Sequence, residues 1–131
     1  MEAASVLVIR GEQMRVLVAP MRERFVDVLQ SGFATLWPAQ TAQLGSAYRS
    51  FLNSSIDRAT SYGIRTEQAI ARFINLYFVW GPNFDSRPEH AWAVKVLKDP
   101  AFDGTRKVDE LVRRTTLKLR VQELNKRPPD V

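Results

Sequence analysis

The amino-acid sequence predicts an all-α protein, a compact bundle of about five helices around a central apolar helix at residues 67–80. Apolar residues recur every three or four positions through most of the chain, and residues that start or stop helices separate these stretches. Beyond a weak run at residues 6–9, no alternating pattern is long enough for a strand. With 131 residues, of which 45% are hydrophobic, the chain can form one core. We therefore expect a single helical domain over residues 1–131, with flexible ends at 1–10 and 125–131.

The first predicted helix extends from about Gly11 to Trp37, and Pro38 marks its end. One face of it is formed by Met14, Leu17, Met21, Phe25, Val28 or Leu29, Phe33 and Leu36. Pro20 lies inside this stretch. Because proline lacks the amide hydrogen and clashes with the preceding turn, we expect a kink or a break between Val18 and Met21.

A second helix is predicted over about residues 46–62, after a turn at residues 39–44. Its apolar stripe consists of Leu44, Tyr48, Phe51 or Leu52, Ile56, Ala59 and Tyr62. Gly63 supplies the left-handed conformation that often ends a helix, and Ile64 is the apolar residue that folds back onto the last turn. We therefore expect this helix to end at Tyr62.

A third helix is predicted from Glu67 to Trp80. The side-chain oxygen of Thr66 can cap it, and Glu67 lies near the positive end of the helix dipole. Apolar residues surround this helix on nearly all sides: Ile70, Phe73, Ile74, Leu76, Tyr77, Phe78, Val79 and Trp80. A helix tolerates such a composition only when other helices enclose it, so we place it at the centre of the core.

The last two predicted helices follow a loop at residues 81–88. A short helix begins at Pro88, which suits a first helical turn, and reaches Lys98. The last helix begins at about Thr105 and carries Val108, Leu111, Val112 and Thr115 on one face. The apolar register then changes to Leu117, Val121 and Leu124.

The residues needed for common catalytic and metal sites are missing from the sequence. The chain has no cysteine, which excludes disulfides, zinc ribbons and thiolate nucleophiles. His90 is the only histidine, lacks a carboxylate cluster at helical spacing, and is interpreted as a helix-start residue. The six glycines are isolated, so no phosphate-binding loop can be written. We assign Asp85, Asp99 and Asp103 to turns and caps, and we predict a protein that is not an enzyme and has no catalytic residue, metal or cofactor.

The net charge of +5 is concentrated at one end of the chain, since residues 106–131 carry eight Lys/Arg against four Asp/Glu. Such a tail attracts nucleic acid, anionic lipid or an acidic protein, or is a solvated helix face. The acidic start of the chain and the short apolar run after it predict no secretory signal. No apolar stretch approaches the roughly 20 residues that span a bilayer, so we expect no membrane insertion. A chain without cysteine suits the cytoplasm.

The C-terminal helix carries more apolar residues than one core can cover. Its leucines and valine alternate with basic residues and cannot all face one side, so some apolar surface stays exposed or is covered by a partner. Aromatic residues in loops and at helix ends either pack in the core or anchor a partner. The predicted partner-binding residues are Arg113, Arg114, Leu117, Lys118, Leu119, Val121, Leu124, Phe84 and Trp92.

A nucleic-acid-binding role is an alternative, because Ala59-x-x-x-Gly63-Ile64-x-Thr66 resembles the first helix and turn of a helix-turn-helix. The second helix does not continue that pattern, since Arg72 falls where a buried residue is expected. It would also present aromatic residues such as Phe73 to the major groove, where polar side chains are normal. We therefore consider nucleic-acid binding the weaker hypothesis.

A longer set of motifs resembles a family of small bacterial helical proteins encoded beside type VI secretion spike, PAAR and toxin genes. The matching residues, spread over about residues 10–118, are Ala59-x-x-Tyr62-Gly63-Ile64-x-x-Glu67, Phe73-Ile74-x-Leu76-x-Phe78, Gly81-Pro82-x-Phe84-Asp85, Trp92-Ala93 and Leu97-x-Asp99. The resemblance implies a helical co-chaperone or adaptor that helps to load an effector onto the secretion spike. Its partner would be an effector-loading adaptor, an effector or a spike component. This chain departs from the family pattern at residues 87–90 and after Lys118, and the resemblance implies no functional residue.

An immunity protein that neutralises a cognate toxin is the nearest alternative to the adaptor. Immunity proteins directed against basic nucleases tend to be acidic, because opposite charge steers the two proteins together. The positive net charge of this chain argues against that version but not against an inhibitor of another toxin class.

Overall fold

The computed structural model describes residues 19–126, and in this part of the chain every regular element is helical. The α-helices are α1 (Ala19–Leu36), α2 (Pro38–Leu44), α3 (Tyr48–Ser61), α4 (Glu67–Trp80), α5 (Ala91–Leu97) and α6 (Gly104–Lys126). Three short 3-10 turns lie at Gly45–Ala47, Phe84–Ser86 and Pro88–His90. The predicted all-α fold is confirmed.

Helix α1 contains the described part of the first predicted helix. Its apolar stripe is buried, with Phe25 3% exposed and Leu29 and Phe33 fully enclosed. The prediction of a helix over residues 11–18 lies outside the described residues. The predicted break at Pro20 falls at their edge.

Helix α2 replaces the turn that was predicted between the first two helices. Pro38 stands at its first turn, where the missing amide costs nothing. The following residues are mostly good helix formers, and the hydroxyl of Thr41 donates a hydrogen bond to the carbonyl of Trp37 at 2.9 Å. Pro38 follows the end of α1, as expected, and it also begins α2, which the sequence pattern did not predict.

The junction between α3 and α4 has the predicted stop and start signals. Gly63 has φ +84°, its amide donates to the carbonyl of Thr60 at 3.0 Å, and the amide of Ile64 donates to the carbonyl of Ala59 at 3.1 Å. These two bonds form a Schellman motif, and Ile64 is fully buried against the core. Thr66 then caps α4 by accepting a hydrogen bond from the amide of Ala69 at 3.2 Å.

Helix α4 is the centre of the core, as predicted. Ile70, Phe73 and Ile74 have no exposed surface. The helix packs against α1, α3 and α6, which together cover most of its circumference. Its apolar composition is therefore explained by burial.

The beginning of α6 lies against the end of α3. A Cβ atom added at Gly104 would stand 2.1 Å from the carbonyl oxygen of Gly63, so the two backbones are in direct contact. The ammonium of Lys107 donates to the carbonyl of Tyr62 at 2.8 Å. Both contacts orient the long last helix relative to the bundle.

Helix α6 has two parts that differ in burial. Its first half contributes Val108, Leu111 and Thr115 to the core. From residue 116 to residue 126 every residue is exposed. This segment, called the α6 arm from here on, is about three turns long. It includes residues 125 and 126, which were predicted to be flexible, whereas residues 1–10 and 127–131 lie outside the described residues.

Candidate partner-binding surface

Three apolar side chains form a stripe along the α6 arm. Leu117, Val121 and Leu124 follow one another at spacings of four and three, which places them on one face of a helix. They are 50%, 54% and 56% exposed. At 100° per residue, the stripe lies roughly 150° around α6 from the line of residues that enters the core. The apolar stripe therefore lies on the side of α6 opposite the residues that enter the core.

Leu119 does not belong to this stripe, although the sequence analysis grouped it with the others. It is 40% exposed and lies within roughly 50° of the core-facing line of α6. The predicted partner-binding leucines thus divide between two faces.

The apolar stripe is bordered by basic residues on both edges. Arg113 and Arg120 lie along one edge, and Arg114 and Lys118 along the other. Glu110 accepts hydrogen bonds from Arg113 and, at 2.9 Å, from Arg114. These bonds, Arg113 first, lower the pKa of Glu110 to about 2, and the same contact raises the pKa of Arg113. Within residues 19–126, neither Lys118 nor Arg120 has a carboxylate at ion-pair distance.

An open groove lies beside the base of the arm. Trp80, Glu89, His90 and Trp92 form one wall, and the other wall is formed by Leu117, Lys118, Val121 and Gln122. Its volume is about 550 Å³. The groove therefore adjoins the apolar stripe, since two of the three stripe residues line it.

The aromatic residues of the groove contact one another and α6. The indole nitrogen of Trp80 donates to the hydroxyl of Thr115 at 3.0 Å. The rings of Trp80 and Trp92 meet edge to face, with centroids 6.1 Å apart. The ammonium of Lys118 lies 5.1 Å from the centroid of Trp92, a cation–π contact. Trp92 thus lies beside the stripe, in the region where the sequence analysis placed the partner surface.

The sequence-based assignment of Phe84 to the partner surface is wrong. Phe84 is fully buried, and its ring contacts those of Phe73 and Tyr77 at 5.9 Å and 5.1 Å between centroids. The loop that carries it folds inward, so the side chain completes the core next to α4. An aromatic residue in a loop could not be distinguished from a surface anchor by sequence position alone.

A buried cluster around Asp85 was missed by the sequence analysis. The carboxylate has no exposed surface and accepts hydrogen bonds from Arg58 Nε at 2.5 Å, the Tyr62 hydroxyl at 2.7 Å and the Tyr77 hydroxyl at 3.1 Å. Burial, followed by the contact with Asp85, raises the pKa of Tyr62 to about 12. Burial raises the pKa of Tyr77 further, again with Asp85 as the second cause.

This cluster fastens the loop after α4 to α3 and α4. All three donors point at one carboxylate, and a buried charge is tolerated when it is paired and hydrogen-bonded in this way. The arrangement leaves no free nucleophile or base, so we interpret it as structural. The other two loop aspartates have the roles predicted for them: Asp99 accepts a hydrogen bond from the amide of Ala101, and Asp103 accepts one from the amide of Arg106.

His90 immediately precedes α5, in agreement with its predicted role as a helix-start residue. It is largely buried, and the centroid of its ring lies 5.2 Å from the centroid of the Trp80 ring. Among residues 19–126, no three His, Asp or Glu side chains are grouped closely enough to hold a metal ion. In the same part of the chain, no helix combines the length and apolar character needed to cross a bilayer.

Comparisons with protein families, with characterised proteins and with solved structures return no match for this chain.

Proposed function

We propose that this protein is a non-enzymatic accessory factor that binds another protein through the α6 arm and the adjoining groove. The observation that carries the proposal is the stripe of Leu117, Val121 and Leu124, three half-exposed apolar side chains in a row on one face of the α6 arm. Burying each of them releases about 1.5–3 kcal/mol at most. A solvated helix end gains nothing from such a stripe, whereas a helix that docks on a partner requires one.

The partner class that we propose follows the motif resemblance: an adaptor, effector or spike component of a type VI secretion system, bound in the cytoplasm before secretion. Several of the resembling residues have structural roles in this chain. Tyr62, Gly63 and Ile64 end α3. Phe84 and Asp85 hold the loop after α4 against the core. The motif string therefore describes a scaffold, and the arm lies at its edge or beyond it.

The burial of α4 argues against the nucleic-acid hypothesis, which needs this helix to be exposed. A helix-turn-helix reading needs α4 in a major groove, but eight of its residues are buried, and α1, α3 and α6 cover it. Within residues 19–126, what remains for such a role is the basic arm. Its apolar stripe favours a protein partner over a phosphate backbone.

Co-expression with the proteins of neighbouring genes tests the proposed function. The tagged full chain is compared with a variant that ends at Thr116, which retains every core residue of α6. We expect the full chain to recover an effector-loading adaptor, an effector or a spike protein, and the truncated chain to lose it. Circular dichroism of the truncated chain verifies that it is folded.

Two results would contradict the proposal or redirect it. A folded truncated chain that retains its partner fully would show that the arm is not the docking element. A stoichiometric complex with a toxin that abolishes toxicity would assign the protein to the immunity class instead.

A further inference from the structure

The charge around the apolar stripe restricts what can cover it. Between residues 110 and 126 the helix carries five basic side chains and two acidic ones. One of the acidic residues, Glu110, is already held by two arginines. The other, Glu123, lies on the face turned away from the stripe. A partner that covers the stripe therefore meets positive charge along both edges.

A second copy of the same arm is a poor occupant of the stripe. Written as a heptad, Leu117 and Leu124 take position d and Val121 takes position a. Arg113 and Arg120 then fall at position g. In an antiparallel pair these positions face each other, so arginines would oppose arginines.

A parallel pair of arms meets the same difficulty. Its g positions face the e positions of the other helix, and position e holds Lys118 and Asn125. Arg113 would then oppose Lys118, and no carboxylate of the arm would face a cation. Like charges at these positions oppose pairing, so the stripe needs a different partner.

We infer that the occupant of the α6 arm is an acidic amphipathic helix of another protein. Its apolar residues recur at spacings of three and four to match the stripe, and Asp or Glu residues flank them to meet Arg113, Arg114, Lys118 and Arg120. This inference rests on the proposed function and names the chemistry of the partner. A bulky apolar side chain of that helix enters the groove between Trp92 and Val121, which has room for it at about 550 Å³.

Two synthetic peptides of about 20 residues test the charge preference. Both carry leucine at positions a and d; one carries glutamate at positions e and g, and the other carries lysine there. Like charges keep each free peptide monomeric. Fluorescence anisotropy of the labelled peptides, titrated with the full chain, gives both affinities. We expect the acidic peptide to bind roughly tenfold or more tightly than the basic one, with an affinity that falls as salt is added.

Variants of the chain locate the contact. L117D and V121D should each weaken binding of the acidic peptide by roughly tenfold or more, because each places a carboxylate in the apolar stripe. L119D is the matched control, since it makes the same change on the same arm but on the other face, and it should leave binding within about twofold. R120E should weaken the acidic peptide and strengthen the basic one.

Several results would overturn the inference. Equal affinities for the two peptides would show that charge does not select the partner, and an L119D variant as damaged as L117D would show that the stripe is not the contact. Sedimentation of the chain alone as a dimer that L117D dissociates would make a second copy the occupant. Duplex DNA that binds more tightly than the acidic peptide at equal salt, and that L117D leaves bound, would make nucleic acid the occupant.

The outcome of the inference can be separated from that of the proposed function. If truncation at Thr116 abolishes binding of the native partner and the acidic peptide does not bind, the arm remains the docking element, and only the chemistry assigned to the partner is wrong. If the truncated chain keeps its partner, both proposals are wrong.

Discussion

The three tyrosines of the chain, Tyr48, Tyr62 and Tyr77, share surroundings that disfavour the phenolate. Burial raises the pKa of Tyr48 and Tyr62 to about 12, and that of Tyr77 further. The unfolded chain ionises its tyrosines near pH 10. Because the folded-state pKa lies above the unfolded value, the protonated tyrosines stabilise the folded protein fully below about pH 10. This contribution to the free energy of unfolding is lost as the pH rises towards 12.

We therefore expect phenolate absorbance of the native protein to stay low at pH 10 and to rise together with loss of helicity above it. In urea, the same absorbance should titrate with a midpoint near pH 10. A native protein that ionises any tyrosine reversibly at pH 10, with its circular dichroism unchanged, would contradict the burial of that residue.

Asp85 gives a second prediction at the scale of single residues. Replacing it with alanine leaves the buried hydroxyl of Tyr77, the partly buried hydroxyl of Tyr62 and one arginine without their common acceptor. Arg58 is 42% exposed at its side chain and can be solvated, so the loss is mainly that of the hydrogen bonds. We expect D85A to lower the free energy of unfolding by about 3 kcal/mol and D85N by less.

Urea denaturation measures this effect, and Asp109 provides the control. It pairs with Arg72 at 2.7 Å, but both side chains are exposed, at 53% and 38%. D109A should therefore cost about 0–1 kcal/mol. Equal losses for D85A and D109A would mean that the buried cluster contributes no more than a surface ion pair.

At the scale of helices, the contact between Gly104 and Gly63 leaves no room for a side chain. A methyl group at position 104 would overlap the carbonyl of Gly63, and the obstructing atoms are backbone atoms that cannot rotate away. Although alanine favours a helix over glycine, we expect G104A to destabilise the protein by about 2 kcal/mol, because α6 must shift away from α3.

Thr116→Ala is the matched control on the same helix, at an exposed position. It should leave the midpoint of urea denaturation nearly unchanged or raise it. A stabilising effect of G104A would show that the two helices separate readily and that this contact does not fix the direction of α6.

The helix boundaries show which signals a sequence carries locally. The stop at Gly63 and the cap at Thr66 were predicted because each depends on residues within one turn of itself. The start of α2 at Pro38 was missed because the same proline follows the end of one helix and begins the next. The Asp85 cluster was missed for a different reason: Arg58 on α3 and Tyr62 directly after α3 lie 27 and 23 residues away in sequence, and no local pattern connects them.

At the scale of the whole molecule, the change of apolar register in the last helix predicted exposed apolar surface, and the exposure of residues 116–126 confirms it. The sequence could not divide that surface into faces. Leu117 and Leu119 are alike in type and neighbourhood, and only the direction of the core separates them. The loop aromatics Phe84 and Trp92 show the same limit, since one turned inward and the other lines the groove.

The body and the arm should be energetically independent. No residue from 116 to 126 is buried, and the arm borders the body at the groove, where Lys118 meets Trp92. A chain that ends at Thr116 should therefore keep the unfolding free energy of the full chain within about 1 kcal/mol, because the loss is that of one partly exposed cation–π contact.

Urea denaturation followed by tryptophan fluorescence measures this change in the unfolding free energy, with K118A as the matched single-residue variant. A drop of several kcal/mol on truncation, with only a small effect of K118A, would mean that the arm packs on the body in solution. The apolar stripe would then already be covered, and a partner would have to displace it before docking.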